Sequence, residues 1–339
     1  MEQQDWAQVV GAATRAPSIH NTQPWRLAAR PERLELHLDR DRALPVLDPT
    51  GRQQVISCGA LLEFAVVALA AAGHGTEVLL LPDAGDPDHL ATLRLTGAVE
   101  PSDDDRALAG AIAGRHTVRA PFEPRAVPGD LLDRLEREAG AAGVWLKPIT
   151  RSEEEVATVF LISRAEEMEQ GDPAYLAELE RWLRTDPAAE DGVPVAAVPS
   201  GDPHERASNW LIRDFVVGQR EQQPFRAGAD PDAPPPAVER PAVVLMGTDG
   251  DDRADWLRAG RALGRLLLRV TAAGLVASPL TQALDWPATR VRLQARLSLV
   301  GHPQMLLRLG FPRAGAGALA PAVSGRRPVR DVLRFEPAG

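Results

Sequence analysis

Ala16-Pro17-Ser18-Ile19-His20-Asn21-Thr22-Gln23-Pro24-Trp25 follows directly on a helical pattern, and its reading decides the fold. Upstream, Trp6, Val9, Val10 and Ala13 fall on one helical face, with Asp5 and Gln8 spaced as a capping box. Pro17 stops that helix, and Pro17 and Pro24 fix the backbone between them. Ser18, Asn21, Thr22 and Gln23 can hydrogen-bond a heterocycle. The same residues favour ordinary turns, so the loop by itself supports both readings.

Outward from the loop, the pattern mixes helices and strands. Leu34, Leu36 and Leu38 alternate with Glu35 and His37, as in a half-buried strand. Residues 57–72 read as a buried helix, followed by strands at Glu77–Leu81 and Leu93–Leu95. Asp103, Asp104 and Asp105 open a helix that stops near Gly114. A helix at 129–141 and a strand at Val144–Ile149 come next. Ser152 and Glu155 have capping-box spacing for a helix to about residue 170, and Pro173 opens another to Arg184. Regular patterning returns with a strand at Ala242–Gly247, helices at 252–273 and 287–299, and a strand at Gln304–Leu309. Between them, residues 185–241 are rich in Pro and Gly, interrupted by the apolar stretch Asn209–Val217; a segment this long reads as a lid-like insertion, a binding loop or a disordered region.

Two helices share a pattern. Gly59 to Gly73 and Gly260 to Gly274 have the same glycine spacing and similar apolar filling, and Leu93-Arg94-Leu95 and Leu307-Arg308-Leu309 follow them in the same order. This points to an internal duplication, although Ala/Leu-rich helices also look alike by chance.

Composition narrows the function. The 339 residues are 44% apolar and 25% charged, as in globular proteins. Lys and Arg number 38 against 47 Asp and Glu, a net charge of −9 with no basic block, which disfavours nucleic acid as the main partner. The apolar run Val55 to Gly73 contains Glu63 and reads as a core helix rather than a membrane span. The start has neither a basic segment nor an apolar signal core, and Cys58 is the single cysteine. Both observations point to a reducing, cytoplasmic setting. No histidine pair shows HxxxH or HxH spacing and there is no CxxC, so no metal site is expected. Phosphate-binding glycine motifs and GxSxG are also missing.

Two further segments carry chemistry. Arg115-His116-Thr117-Val118-Arg119 brings two guanidinium groups and a hydroxyl within five residues, enough to clamp a phosphate, though a solvated basic turn has the same composition. Ser324-Gly325-Arg326-Arg327-Pro328 offers a second anion site with the same plain alternative.

Together, these segments resemble the nitroreductase family of flavoproteins. Residues 16–25 are similar to that family's APSxxNxQPW loop, and Arg115 to Arg119 to its RRSxRxF segment, with His116 and Thr117 as variants and Phe122 displaced. Arg326-Arg327-Pro328 is similar to its C-terminal Arg-x-Pro. The order, with the loop first and the arginine segment later, resembles the fused, double-length Acg group, as do Ser278-Pro279-Leu280-Thr281-Gln282 and Gly301 to Gly310.

The resemblance implies an α+β, nitroreductase-like fold. Two fused repeats would mimic a nitroreductase dimer, with antiparallel or mixed sheets surrounded by helices. The halves would be 1–114 and 115–339, the latter carrying the insertion at about 185–241. FMN is the implied cofactor, and the chemistry would be flavin-borne, with no protein residue as catalyst. Arg115, Thr117 and Arg326 would hold the phosphate, with Arg327 beside them. Arg119 would face the pyrimidine edge. Pro17, Ser18 and Asn21 would lie against the ring system, supported by Gln23. Pro279, Leu280 and Thr281 would run near N5.

NAD(P)H or a small-molecule substrate would be the partner, in a monomeric pseudo-dimer or a homodimer. Two other roles fit the resemblance. One is a flavin-storage or sequestering protein with a lid over FMN. The other is a dedicated flavin-dependent dehydrogenase or oxidase of a biosynthetic pathway.

Overall fold

The computed structural model describes residues 1–195, 238–313 and 324–337. The N-terminal part runs α1 (Gln3–Ala13), β1 (Trp25–Arg30), β2 (Arg33–Leu38), α2 (Arg52–Ala71), β3 (His74–Leu80), β4 (His89–Ala98) and α3 (Asp103–Gly114). Next come α4 (Gly129–Ala141), β5 (Trp145–Pro148), α5 (Ser152–Gly171), α6 (Pro173–Trp182), and the short strands β6 (Leu183–Arg184) and β7 (Val193–Pro194). The remainder is β8 (Ala242–Thr248), α7 (Arg253–Ala272), β9 (Val276–Pro279), α8 (Gln282–Asp285), α9 (Pro287–Arg296), β10 (His302–Gly310), α10 (Val329–Val332) and β11 (Leu333–Phe335). The fold is α+β. The expected insertion lies outside the described residues for 196–237, including the apolar stretch Asn209–Val217.

Two sheets carry the architecture. One has the order β11-β1-β2-β4-β3 and the other β5-β8-β10-β9. Every neighbouring pair is antiparallel except β1 with β11, which is parallel. Without β11, each sheet has its first two strands before a twenty-residue helix (α2 or α7) and its last two strands after it, in the same spatial order. The C-terminal strand β11 thus completes the sheet of the N-terminal half.

Helices α2 and α7 pack against each other at the centre. Gly59 and Gly260 permit this: a Cβ on Gly260 would stand 2.1 Å from the Ile56 carbonyl oxygen, and one on Gly59 would stand 2.5 Å from that of Leu257. Gly73 and Gly274, at equivalent places after the two helices, both have left-handed φ, +85° and +75°. Glu63, buried in α2, binds Arg261 and Arg265 of α7 at 3.0 and 2.8 Å.

The apolar core follows the layers. Trp6, Val10, Trp25, Leu27, Leu61 and Phe64 pack α1 and α2 on the first sheet. The second sheet is covered on both sides, by α4 and α7 through Leu135, Val244 and Leu266, and by α5 and α9 through Ile162, Leu245 and Leu293. Accordingly β8 and β10 are buried almost continuously, whereas β2 alternates.

Four local details differ from the sequence reading. Asp5 sits inside α1 and accepts the Glu2 N–H at 3.1 Å, so the helix begins earlier. Helix α2 starts at Arg52 because the Asp48 carboxylate accepts the Gln53 and Gln54 N–H groups at 3.1 and 2.9 Å. Arg151, not Ser152, precedes α5, and no side chain caps that end. Strand β1 escaped the period-two test because, between β11 and β2, it is buried on neighbouring positions.

Candidate functional site

The loop after α1 is held in an unusual backbone shape. His20, Asn21 and Gln23 all have left-handed φ, +44°, +54° and +50°. Such angles are uncommon outside glycine and persist only where the surroundings impose them. Ser18 Oγ accepts the Gln23 N–H at 2.9 Å, and Ser57 Oγ of α2 accepts that of Ile19 at 3.0 Å. Asn21 Nδ2 donates to the carbonyls of Gly192 and Gly325, each at 3.1 Å. Fully buried Gln23 donates to the Glu190 carbonyl at 2.8 Å and accepts the Arg327 N–H at 2.9 Å. The loop therefore joins two distant segments, 190–192 and 325–327, into one body.

Three arginines converge beside it. Arg326 donates to Asn21 Oδ1 at 3.0 Å and to the carbonyls of Arg15 and Ala16 at 3.3 and 3.4 Å. Arg115, which is buried, donates to the same Arg15 carbonyl at 3.1 Å. Nε of Arg115 and Nε of Arg326 are buried with no hydrogen-bond partner among the described residues. Burial, with the Arg326 and Arg15 charges added, pushes the Arg115 guanidinium down to about 9. Burial and Arg15 push Arg326 down to about 10. Unpaired donors in a like-charged, desolvated cluster favour an anion, and phosphate suits such a fork of N–H groups.

Arg327 differs from these two. Its guanidinium lies 3.5 Å from Asp39 and donates to the Asp331 carbonyl at 3.1 Å, so it braces the loop.

The arginine segment is tied to the second sheet. Thr117 bridges Ala277 of β9, and the Val118 N–H donates to the Ala277 carbonyl at 3.1 Å. Farther on, Glu239 accepts the Phe122 N–H at 2.6 Å and forms a fully buried ion pair with Arg308 of β10. Arg308 also lies over the Phe122 ring, 4.2 Å from its centroid, and donates to the Ala120 carbonyl at 3.1 Å. The Arg119 side chain is half-buried. Strand β9 continues into Pro279, Leu280 and Thr281. Leu280 is fully buried in the second sheet's core, and its N–H bonds the Leu306 carbonyl at 2.9 Å, while Pro279 and Thr281 remain partly exposed.

The structure brings Ser18, Asn21, Gln23, Arg115, Arg326 and Arg327 into one hydrogen-bonded neighbourhood, and joins Thr117 to the strand that ends at Pro279. Sequence reasoning missed Arg15, whose position just before the loop was a usable signal. It also missed Glu190, Gly192, Glu239 and Arg308, which act through carbonyls or from distant strands and leave no local pattern.

No family model matches the chain. Its sequence is similar to Rv3131 of Mycobacterium tuberculosis, provisionally named an NAD(P)H nitroreductase, with 35% identity over 328 residues, 96% of this chain and 90% of that protein. The acg protein of the same organism, with the same provisional name, is 33% identical over 326 residues, 96% of this chain and 93% of its own. Among solved structures, the FMN and NADPH-dependent nitroreductase NfnB from Sphigopyxis sp. strain HMH aligns with a TM-score of 0.41 at 20% identity, over 68% of this chain and 98% of that one.

Proposed function

Because the chain belongs to the nitroreductase superfamily, with the Acg protein among its relatives, we propose that it binds one FMN and acts as a two-electron oxidoreductase. The observation that carries this reading is the pair Arg115 and Arg326, whose buried Nε donors lack a partner among the described residues. When bound, FMN supplies hydride exchange between NAD(P)H or an organic substrate and an acceptor.

The chain's own residues do the rest. Arg115 and Arg326 bind the phosphate, with Arg15 adding to the positive field and the Thr117 hydroxyl beside them. Arg119 supplies a cation for the pyrimidine edge, where it favours the negatively charged reduced ring. Pro17 and Asn21 form the wall on the side of the first half, and Ser18, Gln23 and Arg327 hold that wall rigid. Pro279 and Thr281 line the side where hydride is exchanged, and Leu280 anchors them to the core.

A single chain completes this pocket because each half provides a different part. The loop comes from residues 1–114, and the arginine segment and tail come from residues 115–339. The matched strand orders and the shared glycine spacing support reading the halves as fused subunits of a nitroreductase dimer.

The test is the visible spectrum of the purified protein before and after NADPH is added without oxygen. The expected result is flavin absorbance that is lost on addition. A protein that carries no flavin and takes up none from added FMN would contradict the proposal. Bound flavin that stays oxidised would remove NADPH as the donor.

A further inference from the structure

His37 and His89 lie opposite each other on β2 and β4, and the strand register explains how they meet. Along the pair, Glu35 faces Thr92 and Leu36 faces Ala91; the next step skips Leu90 and sets His37 against His89. The extra residue is a β-bulge, a device that re-aims side chains. Leu90 goes fully into the core, and His89 joins the face that carries Glu35, His37 and Thr92.

The two imidazoles stack with centroids 4.5 Å apart and planes 21° from parallel. Glu35 Oε2 lies 3.8 Å from His37 Nε2, and Asp86 Oδ2 lies 3.6 Å from His37 Nδ1. Both separations are too long for hydrogen bonds. The second oxygen of each carboxylate is already engaged: Glu35 Oε1 accepts from Arg33 Nε at 2.8 Å and Asp86 Oδ1 from the Asp88 N–H at 2.9 Å. Ligand atoms of Glu35, His37 and His89 all lie within 4.8 Å of one another.

We propose that Glu35, His37 and His89 form a binding site for a transition-metal dication of the zinc class. Two imidazoles and a carboxylate are a donor set that zinc favours. Bonds of about 2.0–2.1 Å in a tetrahedron set ligand atoms about 3.4 Å apart, and because each imidazole lone pair lies in its ring plane, one ring turns out of the stack for both to reach the ion. With Nε2 of His37 on the metal, its Nδ1–H faces Asp86, the carboxylate–histidine pairing that fixes ring orientation in metal sites. Thr92 Oγ1, 2.9 Å from His89 Nε2, holds the second ring. Burial, then the neighbouring His37, lowers the His89 pKa, which favours the neutral ring a metal requires. The ion would pin the segment 82–88 against β2. The site is independent of the flavin reading.

The test uses the full chain without an added histidine tag, stripped with chelator and titrated calorimetrically with Zn2+ alone. One saturable site per chain is expected, weakened at least tenfold by His37→Gln or His89→Gln, and by less in Asp86→Asn. Co2+ on the native protein should give the strong visible bands of a four-coordinate site, a measurement that needs no variant. Lack of saturable binding by native protein would overturn the proposal. Undiminished affinity in a folded His37→Gln/His89→Gln double variant would do the same, as would a Co2+ spectrum showing only hexaaquo ion.

Discussion

Gly59 and Gly260 meet backbone to backbone where α2 crosses α7, each Cα lying 2.9 Å or less from where a Cβ on the other would stand. The two glycines hold equivalent places in the two helices, so this close approach joins α2 and α7 at matching positions.

Alanine in a helix interior usually adds roughly 0.5–1 kcal/mol over glycine. Here the sign reverses, because the new methyl would meet a backbone carbonyl that cannot move without parting the helices. Gly260→Ala should cost about 3 kcal/mol or more, and Gly59→Ala somewhat less, since its clash is milder. Urea unfolding would measure both. Unchanged or higher stability would contradict the crossing.

Gln23 should matter to the flavin without touching it. Gln23→Leu removes the acceptor for the Arg327 N–H and the donor to the Glu190 carbonyl. Each orphaned group costs about 1–3 kcal/mol when buried. Stability and flavin content should fall together. A stable Gln23→Leu protein with full flavin would show that the left-handed loop does not depend on this side chain.

The buried Glu239–Arg308 pair fixes the segment that leads from Arg119 to Phe122. Glu239→Gln removes the carboxylate charge from this buried pair with Arg308, and breaking a buried ion pair costs about 3–5 kcal/mol. Thermal or urea unfolding of this variant would check it. A loss under 1 kcal/mol would contradict the buried placement of the pair.

Flavin affinity should depend on pH in a set direction. In the flavin-free protein Arg115 and Arg326 sit near 9 and 10, below the ordinary guanidinium range. A phosphate raises both values, so binding takes up protons and affinity falls as pH climbs through 9 to 10. The flavin-free protein behaves in the opposite way: a base with a lowered folded pKa destabilises the fold while charged, so stability rises over the same interval. The melting-temperature gap between flavin-loaded and flavin-free protein should therefore narrow from pH 8 to pH 10. A constant gap would mean that both guanidinium groups stay charged across this interval in the flavin-free protein.

Much of the fold was legible because its helices are long and regularly patterned. Helix α4 matched residue for residue, and α7 within one residue at each end. The start of α2 was hidden because Arg52, Gln53 and Gln54 are polar yet buried, their side chains satisfied by Gln304, Asp285 and the Arg42 carbonyl. Strand β11 was hidden because three residues against β1 make no period. The site's arginines and proline-bounded loop could be read as motifs. The left-handed Gln23 could not, since hydrogen bonds from residues far along the chain impose it. The His37–His89 cluster depends on a bulge at Leu90, so no histidine spacing announces it.

In the proposed function, Arg115 and Arg326 hold the phosphate of a flavin mononucleotide. The most direct measurement compares FMN with riboflavin, which lacks only that phosphate, on flavin-free native protein and on Arg115→Ala. Losing one desolvated ion-pair partner costs about 2–5 kcal/mol, or roughly 30- to 5,000-fold in affinity. Native protein should bind FMN at least 100-fold tighter than riboflavin, and Arg115→Ala should bring the two within about tenfold of each other. Equal binding of the two ligands by native protein, or an undiminished preference in Arg115→Ala, would contradict the claim.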